Sequence, residues 1–346
     1  MRALRIHEWG AEPVVEDVPS PLVKEGETLV RVEAAAVSHL DLTVASGTFD
    51  LKPQLPYVGG VEGCGIVVSS EIHEPGTRVV LRGGGLGLLR DGTWADFVAT
   101  RKAASPLPAD LPPEIGATYF VPTTTAYVAL HDIARLGAWP SAGSSTSTSA
   151  ADAAASSSSF FDAAAGGGSE GEVVVVAGAA GAVGSMVAQL AVRAGCTVLG
   201  VVDSAQADRL PAGVEAVLLG DEERAAELLK ERPATLLVDT LGGQAVAERS
   251  RWVRPGGRAV VVGYVAGKEL GLDVPSWLLD DVALLPVNMI RREASAREYA
   301  PLLAELLAKG ELTLDVQSFA MDDAPKALHL LATGGLRGRA VILPGS

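Results

Sequence analysis

Gly178, Gly181 and Gly184 follow the valine run 173–176, the last of them inside the helix-length stretch VGSMVAQLAVRAG, and a second apolar run, CTVLGVVD, ends in an acid at Asp203. Such spacing suits the binding of a pyrophosphate. Glycine lets the backbone come close to phosphate oxygens, and the helix that follows offers unpaired N–H groups and a partial positive charge. Gly181 is the residue expected to admit the phosphate, and Gly184 the one expected to let helix pack closely on strand. Against the pattern G-x-G-x-x-G the first glycine is replaced by Ala179, so the expected turn comprises Gly178, Ala179, Ala180, Gly181, Ala182, Val183 and Gly184. A carboxylate at Asp203 would accept hydrogen bonds from ribose hydroxyls and repel a 2′-phosphate, which favours NADH. Ser204 beside it joins the same expected site, and Arg209 keeps NADPH open. A second constellation, Ser38-His39-Leu40-Asp41, has the residue types of a hydrolytic triad. Neighbours on one turn do not assemble triad geometry, so hydrolysis is set aside.

The stretch 173–192 carries no charge and has the length of a membrane span. Glycine weakens a helix interior by about 1 kcal/mol per residue, and the flanking pattern reads as strand, tight turn, helix and second strand instead. The chain has 346 residues, 48% hydrophobic and 20% charged, which suits a soluble protein of about two domains. A net charge of −14 without Lys/Arg clusters argues against nucleic acid as a partner. The two cysteines, Cys64 and Cys196, are too few for a disulfide framework or a four-thiolate zinc site. They lie beside glycines in apolar runs and read as buried inert thiols, and a reducing, cytoplasmic compartment is expected. The N-terminal MRALRIHEWG lacks the pattern of a secretory signal.

Up to position 121 short β-rich runs alternate with Gly and Pro, and from there to 288 apolar strands alternate with helical stretches. The fold class is therefore α/β, a β domain plus a doubly wound parallel sheet. Its strands are expected at 173–177, 197–202, 235–239, 258–262 and 284–287. The tail, 289–346, returns to helix and strand and is expected to complete the first domain. A Ser/Ala/Gly-rich stretch at 141–171 reads as a flexible surface insertion feeding the N-terminal end of the first parallel strand, away from the chemistry. DEERAAELLKER reads as an amphipathic helix covering the sheet with its charges in water.

The segments VEAAAVSHLDLTVASG, LPYVGGVEGCGIVV, GTWADFV, TTTAYVAL, AGAAGAVGSMVAQLAVRAG, DTLGG and GRAVILP, in this order, resemble the medium-chain dehydrogenase/reductase superfamily, and within it the zinc-independent quinone or enoyl reductases. The resemblance implies a GroES-like, partly closed β-barrel domain, discontinuous in sequence, with a Rossmann domain. Zinc-using members carry Cys and Gly-His-Glu where this chain has Ser38 and Gly60-Val61-Glu62. A hydroxyl and a valine do not replace thiolate and imidazole as ligands, so no catalytic zinc is expected. Without the metal, the implied reaction is NAD(P)H-dependent hydride addition to an activated C=C or a quinone. A metal-free alcohol dehydrogenase or carbonyl reductase, and a non-catalytic nucleotide-binding regulator, stay open as alternatives.

By the same resemblance Ser38 and Asp41 belong to the floor of the cleft near the nicotinamide. Thr43 stands where many quinone reductases have Tyr, and Tyr57, Tyr127 and His131 are alternative proton donors. Thr125 and Ala126 fall where relatives position the nicotinamide, or cap a helix. Asp239 and Gly242, with Gly263 and Tyr264, are expected at strand ends facing the cofactor, or as loop geometry. Loops 45–57 and 81–94 suggest a small apolar electrophilic substrate. A homodimer through the cofactor domains is implied, with AVVVGYVAG as its exposed apolar edge.

Overall fold

The computed structural model describes residues 1–101, 104–138 and 171–345. The insertion expected at 141–171 lies, but for its last residue, outside the described residues. The chain divides into two units, Met1–Val121 with Pro301–Ser346, and Pro122–Ala300.

The first unit is a β domain. Its strands are β1 (Arg2–Ile6), β2 (Val14–Asp17), β3 (Thr28–Val37), β4 (Tyr57–Val58), β5 (Glu62–Ser69), β6 (Arg78–Arg82), β7 (Phe97–Thr100) and β8 (Ala104–Pro106), with β15 (Val316–Ala320) and β16 (Arg339–Leu343) from the chain's end. One sheet runs β2-β1-β4; the other runs β15-β16-β3-β5-β6-β8, with β7 also paired to β3. Strand β3 shows why. Val30 and Val32 face inward between the outward Arg31 and Glu33, and beyond Ala34 every residue is buried, because both faces of the strand are covered there. Trp94 is completely buried in this core and its indole N–H donates to the Ala36 carbonyl at 2.9 Å. This is the GroES-like domain.

The second unit holds six parallel strands: β9 (Val173–Ala177), β10 (Thr197–Val202), β11 (Val214–Leu218), β12 (Ala234–Asp239), β13 (Val253–Val261) and β14 (Ala283–Pro286), ordered β11-β10-β9-β12-β13-β14. That order reverses between β9 and β12, the doubly wound arrangement whose ligands sit beyond the carboxyl ends of the strands at the reversal. Strands β9 and β12 are buried along their whole length, as central parallel strands with helices on both faces must be. Helix Glu222–Glu231 covers one face with Ala225 and Leu229 and leaves Glu223, Arg224 and Glu227 in water. Among the described residues no helix is long and apolar enough to cross a membrane.

Three expectations need correcting. Strand β11 was not expected at all; it is an edge strand whose outward residues are exposed, so its apolar signal is thin. AVVVGYVAG is not the sheet edge, because β13 is flanked by β14, which is. Residues 289–300 belong to the second unit and not to the first. Helix Glu293–Ala308 runs through the boundary, and its early turns are tied there by Ser295 Oγ donating to Asp132 at 2.5 Å and by Tyr299 stacking on Tyr127 at 4.3 Å.

Candidate active site

The turn after β9 has the geometry of a phosphate cradle. Gly178 takes φ +79°, open to glycine at no steric cost, and a Cβ there would strike the Thr240 hydroxyl. A Cβ at Gly184 would overlap the Gly178 carbonyl oxygen, so this glycine is what allows the helix to lie against the strand. Gly181 differs. It is the N-cap of helix Ala182–Arg193, no side chain caps the first turn, and a Cβ there would approach only Gly178 O, at 3.2 Å. Uncapped amides at the start of a long helix, beside a glycine that lets a ligand approach the backbone, are what a pyrophosphate requires. Ala179 and Ala180 are buried in the turn, and Ala182 and Val183 begin the helix.

At the end of β10, Asp203 is exposed and N-caps the short helix Ser204–Arg209, accepting from Ala205 N at 2.9 Å. Ser204 is exposed beside it, while Arg209 is half-buried and its Nε has no hydrogen-bond partner among the described residues. A cavity of about 530 Å³ opens next to these strand ends, lined by Val201, Leu218, Leu219, Ala245, Arg249 and Trp252 among others.

Asp239 is fully buried. Its Oδ1 accepts from Leu241 N at 2.9 Å and Gly242 N at 2.8 Å, and its Oδ2 accepts from Arg249 Nε at 2.7 Å. The carboxylate thus turns inward instead of facing a ligand. Gly242, at φ +74°, and Gly263 are packed against neighbouring loop backbone, where a Cβ would strike Gly263 O and Thr240 O respectively. Tyr264 is 69% exposed beyond β13. Thr125 and Ala126 lie inside helix Phe120–Val128 and not at its N-cap, so the capping alternative is corrected. Both are buried. Tyr127 is buried between the rings of His131 (4.2 Å) and Tyr299 (4.3 Å). Burial raises the Tyr127 phenol above its ordinary range and pushes the His131 imidazole down to about 4, so His131 is neutral at pH 7.

In the first unit Ser38 and Asp41 form a buried knot. Ser38 caps helix His39–Ala45; Asp41 Oδ2 accepts from Ser38 N at 2.8 Å and Ser38 Oγ at 2.6 Å, and Oδ1 accepts from Val61 N at 3.0 Å. Burial, with a lesser contribution from nearby Glu62, pushes the Asp41 carboxyl up to about 6. His39 is exposed and takes no part, so the hydrolase-like run has no triad geometry. Thr43 is exposed and donates back to His39 O at 2.8 Å. Tyr57 is buried against Trp9, and burial raises its phenol. Glu62 pairs with Arg82 at 2.9 Å. Cys64 and Cys196 are free and buried, and burial pushes the Cys64 thiol up to about 12. Sequence reasoning missed Arg249, a lone helix arginine; its one signal is its place ten residues after the acid of DTLGG.

A β domain and a doubly wound parallel sheet with a glycine turn before the helix that follows its first strand define a two-domain α/β architecture. Family models described as alcohol dehydrogenase GroES-like domain and zinc-binding dehydrogenase match residues 24–109 and 182–308. A zinc-type alcohol dehydrogenase-like protein of Schizosaccharomyces pombe is 33% identical over 66% of this chain and 58% of its own length. This chain therefore spans less than two thirds of that relative. A mitochondrial enoyl-[acyl-carrier-protein] reductase of Rattus norvegicus is 27% identical over 89% of this chain and 78% of its own. The solved quinone oxidoreductase of Thermus thermophilus, reported with its NADPH complex, superposes with TM-score 0.71 at 26% identity, covering 99% of this chain and 100% of that one. Matched in both units, the chain belongs to the medium-chain dehydrogenase/reductase superfamily.

Proposed function

We propose that this protein is an NAD(P)H-dependent, zinc-independent reductase of activated C=C bonds or quinones. The observation that carries the reading is Gly181: an uncapped helix N-terminus at a glycine, where a Cβ would crowd the Gly178 carbonyl oxygen at 3.2 Å, in the turn after the first strand of a doubly wound sheet. The turn 178–184 would hold the pyrophosphate, Asp203 the adenosine ribose, and the cavity beside Val201 and Leu219 the adenine ring. An exposed carboxylate at the ribose position favours NADH, and Arg209 is the cation available to a 2′-phosphate. When bound, the nicotinamide supplies a hydride.

The zinc-independent part of the reading rests on residue chemistry. Ser38 spends its hydroxyl on Asp41, and Val61 offers no ligand atom. Ser38 and Asp41 act in it as positioning residues for the 60–62 loop. Thr43 donates to its own helix, while Tyr57 and Tyr127 are buried with raised phenols, so the proton that follows the hydride is assigned to solvent. The acceptor is a small apolar electrophile. Buried free thiols fit a reducing, cytoplasmic compartment. The edge strand β14 and the exposed Leu278, Leu279 and Ile290 around it support a homodimer, whose mass sedimentation velocity reads directly.

The test is turnover of chelator-treated, metal-assayed protein with NADH or NADPH against quinones, enones and aliphatic aldehydes. Oxidation of the nucleotide by quinones or enones at negligible metal content is expected. Activity confined to aldehydes, or dependent on added zinc, would refute the proposal.

A further inference from the structure

Asp239 sits at the centre of the hydrogen bonds that join the loops at the carboxyl end of the sheet, and Arg249 holds it there. We propose that Arg249, acting through Asp239, is a positioning residue that fixes three glycine-bearing loops, 177–184, 239–243 and 263–267, in the arrangement that receives the dinucleotide. The proposal rests on the dinucleotide reading above.

Each link is local and short. Arg249 is 6% exposed; its Nε donates to Asp239 Oδ2 at 2.7 Å, its Nη2 lies 2.6 Å from the same oxygen, and Nη2 also reaches Gly242 O at 3.3 Å. One guanidinium therefore grips both ends of the 239–242 turn, and Oδ1 of Asp239 closes it from inside through the Leu241 and Gly242 amides. That turn in turn supports its two neighbours. Thr240 N and Oγ1 both donate to Ala177 O, at 3.1 and 2.8 Å, and the Thr240 hydroxyl fills the space above Gly178. On the other side Val262 N donates to Asp239 O and Ala266 N to Leu241 O, each at 2.8 Å, and Gly242 bridges to Gly267. The glycines at 178, 242 and 263 allow this closeness, and none of them leaves room for a compensating side chain.

A buried ion pair adds little stability over well-packed apolar residues of the same volume, but its planar fork fixes direction. Loops already held in place lose no ordering entropy when a ligand arrives. A matched pair at the other end of the sheet offers a control: Arg258 is 1% exposed and grips Glu172 through Nη1 at 2.8 Å and Nη2 at 2.9 Å, next to the starts of β9 and β12 and far along the strands from the glycine turn.

The experiment compares wild type, Arg249→Lys, Thr240→Val and Arg258→Lys by thermal midpoint, NADH dissociation constant from nucleotide fluorescence, and amide exchange in nucleotide-free protein. Arg249→Lys keeps the charge and loses the fork. It is expected to weaken NADH binding by about tenfold or more and to speed exchange at 240–243 and 263–267, while Arg258→Lys, with a comparable fall in midpoint, stays within about twofold of wild type. Wild-type affinity in Arg249→Lys, or equal loss of affinity per degree of midpoint in both lysine variants, would overturn the proposal. If Arg249→Lys does not fold, Thr240→Val carries the test, with weaker NADH binding expected and unchanged binding and exchange overturning it. Absence of NADH and NADPH binding in wild type would refute the dinucleotide reading instead, and the exchange data, taken without nucleotide, still decide the positioning claim.

Discussion

A carboxylate sunk among backbone amides titrates differently from one in water, and Asp41 is such a group. Its ordinary value of 3.8 is raised to about 6, burial outweighing the hydrogen bonds from Ser38 and Val61, with Glu62 adding repulsion. A raised carboxyl makes the folded state bind more protons than the unfolded chain between these two values. Its contribution to stability is therefore full below pH 4 and is lost as pH rises through 6. Wild type should gain about 2 kcal/mol relative to Asp41→Asn between pH 7 and pH 4.5, read by urea unfolding. Parallel pH profiles would contradict the assignment. The sequence marks Ser38 and Asp41 as unusual through their residue types, but it does not show that Asp41 closes on Val61, because that bond joins positions twenty apart. The same blindness applies to Asp239, whose acid at a strand end suggests a ligand until burial and Arg249 are seen.

At the scale of elements, glycine spacing carries the most information. Gly181 and Gly184, three residues apart, differ in how hard a Cβ would press on the Gly178 carbonyl oxygen: at 3.2 Å it would crowd it from Gly181 and at 2.1 Å overlap it from Gly184. Gly184→Ala should destabilise by about 1–3 kcal/mol, since the helix must move off the strand, while Gly181→Ala should cost clearly less stability and bind NADH about tenfold more weakly. Melting curves paired with nucleotide titrations check both, and equal stability loss in the two variants would show that the turn does not divide its labour this way. Strands β9 and β10 were legible to the residue because continuous apolar runs bounded by turn residues leave few other readings. Edge strand β11 was not, because exposure removes the pattern. Thr125 was misplaced for a related reason: a threonine run resembles a cap, but Phe120 already starts the helix.

For the molecule as a whole, the passage from the first unit to the second showed itself in the change in periodicity near position 121. The return point did not, because helix Glu293–Ala308 is continuous across it and only tertiary contacts at Asp132 and Tyr127 say which turns belong where. Everything proposed about reactivity depends on one property of the second unit, that its glycine turn and Asp203 together receive a nicotinamide dinucleotide. The most direct measurement is a calorimetric titration of the purified wild-type protein with NADH and, separately, NADPH. Saturable binding of about one nucleotide per chain, NADH tighter than NADPH, is the predicted result. Failure of both nucleotides to bind would contradict the account at its root.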